Sequence, residues 1–239
     1  MIRNAASATT SVLCEHKRRL YSLATDGESH RRRSFKALTL THSLSPLSPI
    51  YSNLSDLKLL NLLCGDDDVT SDADWKHVLK RYQNTLLRIN GVTINDIQIC
   101  PAGIKKHLVD SGMKPHTASR FLCPNNRQDV TLMFSLLNSI ARLPPASDDD
   151  EPSYRSTRSA LRLLGALYWH LLNAYTNTAL ALGDQLMHIS AMMHISCAIF
   201  RKNKSGFIPS QLMFDTQIMG KTAFFNVAKT KVDNPGGSY

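Results

Sequence analysis

The sequence predicts a mainly α-helical protein, a multi-helix bundle with a minor β element near its N-terminus. Apolar residues recur at helical spacing over most of the chain after residue 54, while short β-rich segments lie near the front. Hydrophobic residues make up 43% of the 239 residues and charged residues 20%, so the chain can bury a sizeable core. The 11 glycines and 10 prolines are too few for a fibrous or low-complexity protein.

The β element is expected in the first part of the chain. Residues 20–26 and 35–41 are short alternating or β-rich segments that predict two strands, and Asp26-Gly27 begins the turn after the first. Residues 43–53 contain two prolines and four serines, which is typical of a connecting loop.

A helical region is expected to follow. Residues 65–72 predict an acidic loop, and Ser71 with Asp74 fits the S-x-x-D capping box that marks the start of a helix. That helix carries one apolar stripe at i, i+3, i+4, i+7 and i+11, formed by Trp75, Val78, Leu79, Tyr82 and Leu86. Asn90-Gly91 is a typical helix end.

The rest of the chain is predicted to be mostly helical. Residues 92–100 predict a small hairpin, Pro101 and Pro115 each begin a helix, and Asn125 or Asn126 caps a longer helix that ends before Pro144. Three further helices are expected over 154–180, 183–201 and 209–231. The predicted organisation is an unstructured segment (1–19), a small β-containing fragment and loop (20–70), a helical region (71–144), an acidic linker (145–153) and a hydrophobic helical region (154–239).

The net charge of +9 favours contact with anionic partners. Two short basic clusters, HKRR at 16–19 and HRRR at 30–33, predict a DNA contact through Arg31, Arg32 and Arg33. The alternatives for these clusters are a solvated basic edge or a patch resembling a nuclear-import signal.

The cysteines and the hydropathy pattern indicate an intracellular protein without a membrane span. The five cysteines include no CxxC pair, which argues against a zinc ribbon and favours reduced thiols. No uncharged apolar run reaches the length of about 18–20 residues that a bilayer requires. We expect a nuclear protein in preference to a cytoplasmic one, and the acid-free start before Glu15 faintly resembles a mitochondrial transit peptide.

Acidic residues and histidines are the candidates for chemistry. Five aspartates lie within nine positions and are able either to hold Mg²⁺ or to cap a helix, and the spacing alone favours capping: Asp66, Asp67, Asp68, Asp72 and Asp74. His188 and His194 are six residues apart, about 240° around a helix, so we expect core or rim histidines and not one shared metal.

Several blocks of sequence carry a resemblance to a known family. They are LYSLATDGESHRRRSFKALTLTHSLSPLSPIY, GDDDVTSDADWKHVLKRYQNTLLR, NRQDVTLMFSLLNSIARLP and the block from ALRLLGALYWHLL to FIPSQLMFDTQIMGKTAFFNVAKTKVDNPGG. Together they resemble a family of uncharacterised fungal proteins derived from DNA transposons, over residues 20–239. That family is more distantly similar to P-element and THAP-type transposases.

The similarity to those transposases rests on Asp74-x-x-His77-x-x-Lys80, followed by Asn84, which resembles their D-x-x-H-x-x-K-x-x-R-N element. The resemblance implies that Asp74 is a metal-binding carboxylate of an RNase H-like core. It also implies that Lys80 and Arg81, on the following helix, face nucleic acid. The chain departs from the family at Gln83, where the family has arginine.

The resemblance leads us to expect an internal fragment, since such a transposase needs three carboxylates for two metal ions and only Asp74 can be placed. The expected function is therefore that of a transposon-derived remnant without independent catalysis. No cofactor is expected for this chain, although the intact relatives use Mg²⁺. The alternatives are a basic nucleic-acid-binding or helical scaffold protein and a Mg²⁺-dependent nuclease. Self-association through exposed apolar helices is a further expectation.

Overall fold

The computed structural model describes residues 19–25, 29–123 and 129–236. In these residues the chain is mainly helical, with nine α-helices and three small two-stranded sheets. The prediction of a mainly helical protein with minor β structure near the N-terminus is confirmed at this level.

Six short strands pair two by two. The pair β1–β4 is parallel, with Thr25 opposite Ala73, whereas β2–β3 and β5–β6 are antiparallel. The strands are β1 (Ser22–Thr25), β2 (His42–Ser43), β3 (Leu63–Cys64), β4 (Thr70–Ala73), β5 (Val92–Ile94) and β6 (Ile97–Ile99).

The helices differ widely in length. The first five are α1 (Ser29–Thr39), α2 (Tyr51–Leu54), α3 (Trp75–Leu86), α4 (Pro101–Asp110) and α5 (Pro115–Leu122). The last four are α6 (Val130–Ala141), α7 (Pro152–Thr176), α8 (Leu182–Asn203) and α9 (Ser210–Asp233). Short 3-10 turns lie at Asp66–Asp68 and Lys204–Gly206. None of the helices in the described part of the chain is both long enough and apolar enough to cross a membrane.

The chain divides into two compact units. Among the described residues, the first unit comprises those before Val78 and those from Asp215 onward, and the second comprises those from Val78 to Phe214. The boundaries fall within α3 and α9. The acidic segment 145–153 lies inside the second unit, after α6, and its last two residues are already in α7.

The first unit has a small apolar core. Its fully or nearly fully buried members come from the β2–β3 region, α2 and α9, and are Leu44, Ile50, Leu54, Cys64, Phe225 and Ala228. Two lysines of α9, Lys221 and Lys229, are also buried in this unit.

The core of the second unit is larger, and α6 and α7 contribute the most buried apolar residues to it. Tyr82 of α3 packs edge-on against Tyr168 of α7, with ring centroids 5.9 Å apart, and also contacts Phe207. Aromatic pairs of this kind add to the stabilisation that comes from burial alone.

Several local predictions are confirmed. The predicted hairpin at 92–100 is β5–β6, and its turn residues Asn95 and Asp96 have φ values of 51° and 66°. Two consecutive positive φ angles are typical of the type I′ turn that matches strand twist. Pro101 and Pro115 each occupy the start of a helix. The α3 stripe is buried, except for half-buried Trp75.

The predicted strand at 35–41 is wrong, because residues 29–39 form helix α1. The alternating pattern also fits a helix, since Phe35, Leu38 and Thr39 have i, i+3 and i+4 spacing. The hydroxyl of Thr39 donates to the carbonyl oxygen of Phe35 at 2.8 Å, so this buried β-branched residue is satisfied within the helix.

The predicted acidic loop at 65–72 is only partly correct, because strand β4 begins at Thr70. A strand of sequence TSDA has no apolar pattern and depends on its pairing with β1. The capping box is wrong as well: Ser71 lies within β4, and Asp74 itself caps α3.

Two further expectations differ from the structure. The helical signal from residue 54 does not produce a helix there, since α2 ends at Leu54 and turns follow. The cap of α6 is Asp129, whose side chain accepts from the Leu132 amide at 2.9 Å. Asn125 and Asn126 lie outside the described residues.

Candidate functional site

Asp74 lies between the end of β4 and the first residue of α3. Its Oδ1 accepts a hydrogen bond from the Lys76 amide at 2.8 Å, and its Oδ2 lies 3.0 Å from Nδ1 of His77. The first contact is the standard helix N-cap bond to the second residue of the helix. Both carboxylate oxygens of Asp74 are therefore engaged by the first turn of its own helix.

The electrostatics of Asp74 favour an anion. Partial burial by itself raises the pKa of Asp74, but the hydrogen bonds from His77 and from the Lys76 amide outweigh burial and hold that pKa below its usual value. Asp74 is thus ionised at neutral pH, as either a helix cap or a metal ligand requires.

Asp72 is the neighbouring carboxyl group, and its environment differs from that of Asp74. It lies in β4 opposite Ala24 of β1, and its Oδ1 accepts from the Ala73 amide at 2.8 Å. Burial raises the pKa of Asp72 to about 6, and the negative charge of Asp74 adds to this effect. Two adjacent carboxyl groups thus differ in their readiness to carry charge.

Two other aspartates of the acidic cluster, Asp66 and Asp68, have different surroundings. Asp68 is buried and pairs with Arg19 at 2.9 Å, and it also accepts from the Ser48 hydroxyl at 2.7 Å. The side chain of Asp66 is fully exposed. In the described part of the chain, no group of three or more His, Cys, Asp or Glu side chains converges as a metal site would require.

The predicted nucleic-acid-binding residues are spread over α1 and α3. Arg33 is exposed on α1, whereas the side chains of Arg31 and Arg32 lie outside the described part. Lys80 and Arg81 on α3 are only half-exposed. Partial burial lowers the pKa of Lys80, although the charge of Asp129 opposes this effect. Asp26, which is predicted to begin the turn after the first strand, also lies outside the described residues.

Two buried lysines in the first unit escaped the sequence analysis. Lys221 donates to the carbonyl oxygen of Leu63, and Lys229 donates to that of Tyr21. Both ammonium groups lie over the Phe225 ring, and burial lowers the pKa of each to about 8. Their spacing four residues on either side of Phe225 is a signal for a shared, inward-facing side of α9.

The second unit contains an open groove that sequence analysis did not identify. Its cavity volume is about 620 Å³. Four exposed residues of α7 line one side, namely Arg155, Ser156, Ser159 and Arg162, and Asn95 of the β5–β6 turn and Asp148 also line it. Guanidinium and hydroxyl groups on one helix face suit contacts with phosphate oxygens.

The chain was also compared with known proteins. No family model matches the sequence, and neither a curated protein nor a solved structure matches it significantly.

Proposed function

We propose that this chain is a transposon-derived, transposase-like protein without independent catalytic activity, in which β1 and β4 belong to an RNase H-like core. The observation that carries the proposal is the parallel β1–β4 pair, with Asp74 following β4 directly. In sheets with parallel strands, functional side chains gather at the carboxyl ends of the strands. The place of Asp74 directly after β4 supports the proposal, in which Asp74 corresponds to the metal-binding carboxylate implied by the D-x-x-H-x-x-K resemblance.

The absence of catalysis is proposed from the state of the two carboxyl groups. Phosphodiester chemistry with two metal ions requires several ionised carboxylates around the ions. Both oxygens of Asp74 already accept contacts from its own helix turn, and burial, which raises the pKa of Asp72 to about 6, disfavours the charged form of that carboxyl group. The state of Asp72 and Asp74 supports a site that no longer binds catalytic metal ions in preference to one that does.

The proposal is tested with purified full-length protein, labelled DNA and Mg²⁺ or Mn²⁺. We expect the wild-type protein and Asp74→Asn to give the same background of cleavage products, and the melting temperature of the wild type to be unchanged by millimolar Mg²⁺. Metal-dependent cleavage that disappears in Asp74→Asn would contradict the proposal and establish the nuclease alternative.

DNA binding without cleavage is the second candidate function, and the groove beside α7 favours it. Arg155 and Arg162 are both exposed and are seven residues apart, roughly 10 Å along the helix axis. Ser156 and Ser159 lie between them. This spacing suits contacts with two separate phosphates of one nucleic acid, and the net charge of +9 adds long-range attraction.

The binding candidate is tested by fluorescence anisotropy with labelled duplex DNA between about 50 and 200 mM salt. Over this range, the affinity of a protein that binds through phosphate contacts falls steeply. The double variant Arg155→Gln/Arg162→Gln removes two positive charges from the groove. A matched control, Arg88→Gln/Arg120→Gln, removes two exposed charges from elsewhere in the second unit. We expect the groove variant to reduce the logarithmic salt slope by about 1.8.

The control variant is expected to keep most of its salt slope. An equal loss in both variants would show that only net charge matters, and an absence of binding at 50 mM salt would rule out this candidate.

Self-association through exposed apolar helices stays a prediction. In the described helices, the large apolar residues with exposed side chains are Val130, Trp169 and Met187. Sedimentation velocity over a hundredfold range of protein concentration tests it, and a single monomeric species throughout would contradict it.

A further inference from the structure

Two histidines of the second unit face each other across the α7–α8 helix pair. His170 lies near the end of α7 and His188 lies near the start of α8, and the two helices are joined by the short segment 177–181. Their Nδ1 atoms are 2.9 Å apart, and their ring centroids are 4.9 Å apart at an interplanar angle of 51°. The Nδ1 atoms of His170 and His188 therefore face each other between the two helices.

Burial favours the neutral form of the His170 imidazole. His188 is buried and His170 is half-buried. Burial lowers the pKa of His170, and the facing His188 lowers it further. A neutral imidazole has a lone pair on one ring nitrogen, and this is the form that binds metal ions. The half-exposed His170 leaves a route for an ion from solvent.

The geometry points to a divalent transition-metal site formed by the Nδ1 atoms of His170 and His188. Metal–imidazole bonds are about 2.0–2.1 Å long. An ion at that distance from both atoms, which are 2.9 Å apart, makes a nitrogen–metal–nitrogen angle of about 90°. Such an angle belongs to the square-planar or tetragonal coordination of Cu²⁺ and Ni²⁺. Tetrahedral Zn²⁺ would need the two nitrogens to be about 3.3 Å apart.

The remaining coordination positions would be filled by water. No third His, Cys, Asp or Glu side chain joins the pair in the residues that the structure describes. A two-imidazole site of this kind follows the order of affinity Cu²⁺ > Ni²⁺, with Zn²⁺ below Cu²⁺. Without metal, one of the two Nδ1 atoms carries the hydrogen of this contact, and metal binding requires that ring to change tautomer, so that its proton moves to Nε2 with no net release. Bound metal would connect α7 to α8 across the hairpin.

The site does not depend on the function proposed above. It joins two residues 18 positions apart on different helices, whereas His194 lies on the same helix as His188. His194 instead lies 2.8 Å from the Ser190 carbonyl oxygen, is exposed, and is thus a matched control.

The test uses full-length protein stripped of metal with a chelator. Ni²⁺ binding is measured by the rise in melting temperature, and Cu²⁺ binding is measured by electron paramagnetic resonance. We expect Cu²⁺ to bind with a tetragonal spectrum split by two nitrogens, and Ni²⁺ to raise the melting temperature. His170→Asn and His188→Asn should each weaken the affinity by about tenfold or more, while His194→Asn should leave it unchanged.

A measurement on the wild-type protein covers the case in which a variant fails to fold. In NMR spectra of histidine-labelled protein, substoichiometric Ni²⁺ should broaden the ring signals of His170 and His188 before those of the other histidines. Earlier broadening of any other histidine, equal loss of affinity in His194→Asn, or tighter binding of Zn²⁺ than of Cu²⁺ would overturn the proposal. So would the absence of binding at millimolar Ni²⁺ and Cu²⁺.

Discussion

The guanidinium Nε of Arg158 donates a hydrogen bond to Nδ1 of His107 over 3.0 Å, inside the second unit. Arg158 is 3% exposed and His107 is 2% exposed. The same guanidinium donates to the Pro144 carbonyl oxygen at 3.0 Å and to the Tyr154 hydroxyl at 2.7 Å. It therefore connects α4, α7 and the segment after α6. Because Nδ1 of His107 accepts, the ring proton lies on Nε2 and the imidazole is neutral.

This contact predicts that Arg158 helps to set the pKa of His107. Burial lowers the pKa of His107 to about 4, and the positive charge of Arg158 lowers it in the same direction. In Arg158→Met the burial remains and the charge is gone, so the pKa of His107 should rise by about 1 or more. An NMR titration of the His107 ring measures it, and an unchanged pKa would show that Arg158 has no electrostatic effect on this ring.

The same pair predicts how stability depends on pH. The folded-state pKa of His107 is below its usual value of 6.5, so its contribution to stability is complete above pH 6.5 and is lost as pH falls through 4. Urea unfolding of the wild type should show this loss, and Arg158→Met should show a smaller one. The variant should also be destabilised by about 2–4 kcal/mol at pH 7, because buried carbonyl oxygens lose their donors. Equal stability at pH 7 would contradict this role.

Asp72 predicts a pH dependence of the opposite sign. Because its folded-state pKa is about 6, its contribution to stability is complete below pH 3.8 and is lost as pH rises through 6. Asp72→Asn keeps a carbonyl acceptor for the Ala73 amide and removes the charge. We expect the free energy of unfolding to increase by about 1–3 kcal/mol at pH 7.5 and not at pH 3.5. Urea denaturation measures both, and the exposed Asp66→Asn is the control. A less stable Asp72→Asn at pH 7.5 would refute the expectation.

The cap formed by Asp74 predicts a difference between two substitutions. Asp74→Ala removes the acceptor of the Lys76 amide, so the free energy of unfolding should fall by about 0.5–2 kcal/mol. Asp74→Asn retains an oxygen acceptor and should lose less. Asp129→Ala removes the N-cap bond of α6, whose length is 2.9 Å, and its loss of stability is the comparison for Asp74→Ala. If both Asp74 variants were as stable as the wild type, the capping bond would contribute nothing.

Gly165 predicts tight packing between α6 and α7. A Cβ at this position would lie 2.6 Å from the Ile140 carbonyl oxygen, and backbone atoms there have little freedom to move. Gly165→Ala should cost about 1–3 kcal/mol of stability. Gly183→Ala is the matched control on α8, where a Cβ meets nothing within 4 Å and should stabilise the helix by about 0.5–1 kcal/mol. Thermal unfolding of Gly165→Ala and Gly183→Ala measures both effects. A Gly165→Ala variant as stable as the wild type would contradict the close approach of α7 to the Ile140 carbonyl oxygen.

The sequence by itself determined the elements whose signals are local. Pro101 and Pro115 begin helices because the proline ring presets φ and the first helical amides need no partner within the helix. Asn95 and Asp96 tolerate positive φ, so the hairpin turn could be read from a few residues. The α3 stripe was visible because an amphipathic face repeats every 3.6 residues.

Only the tertiary structure decided the features that join distant residues. Strand β4 exists because β1 pairs with it, although TSDA has no strand pattern, and α1 formed where alternation had indicated a strand. The facing nitrogens of His170 and His188 come from different helices. The physical reason is the same in each case: backbone pairing and side-chain convergence depend on neighbours in space, whereas periodicity and caps depend on neighbours in the chain.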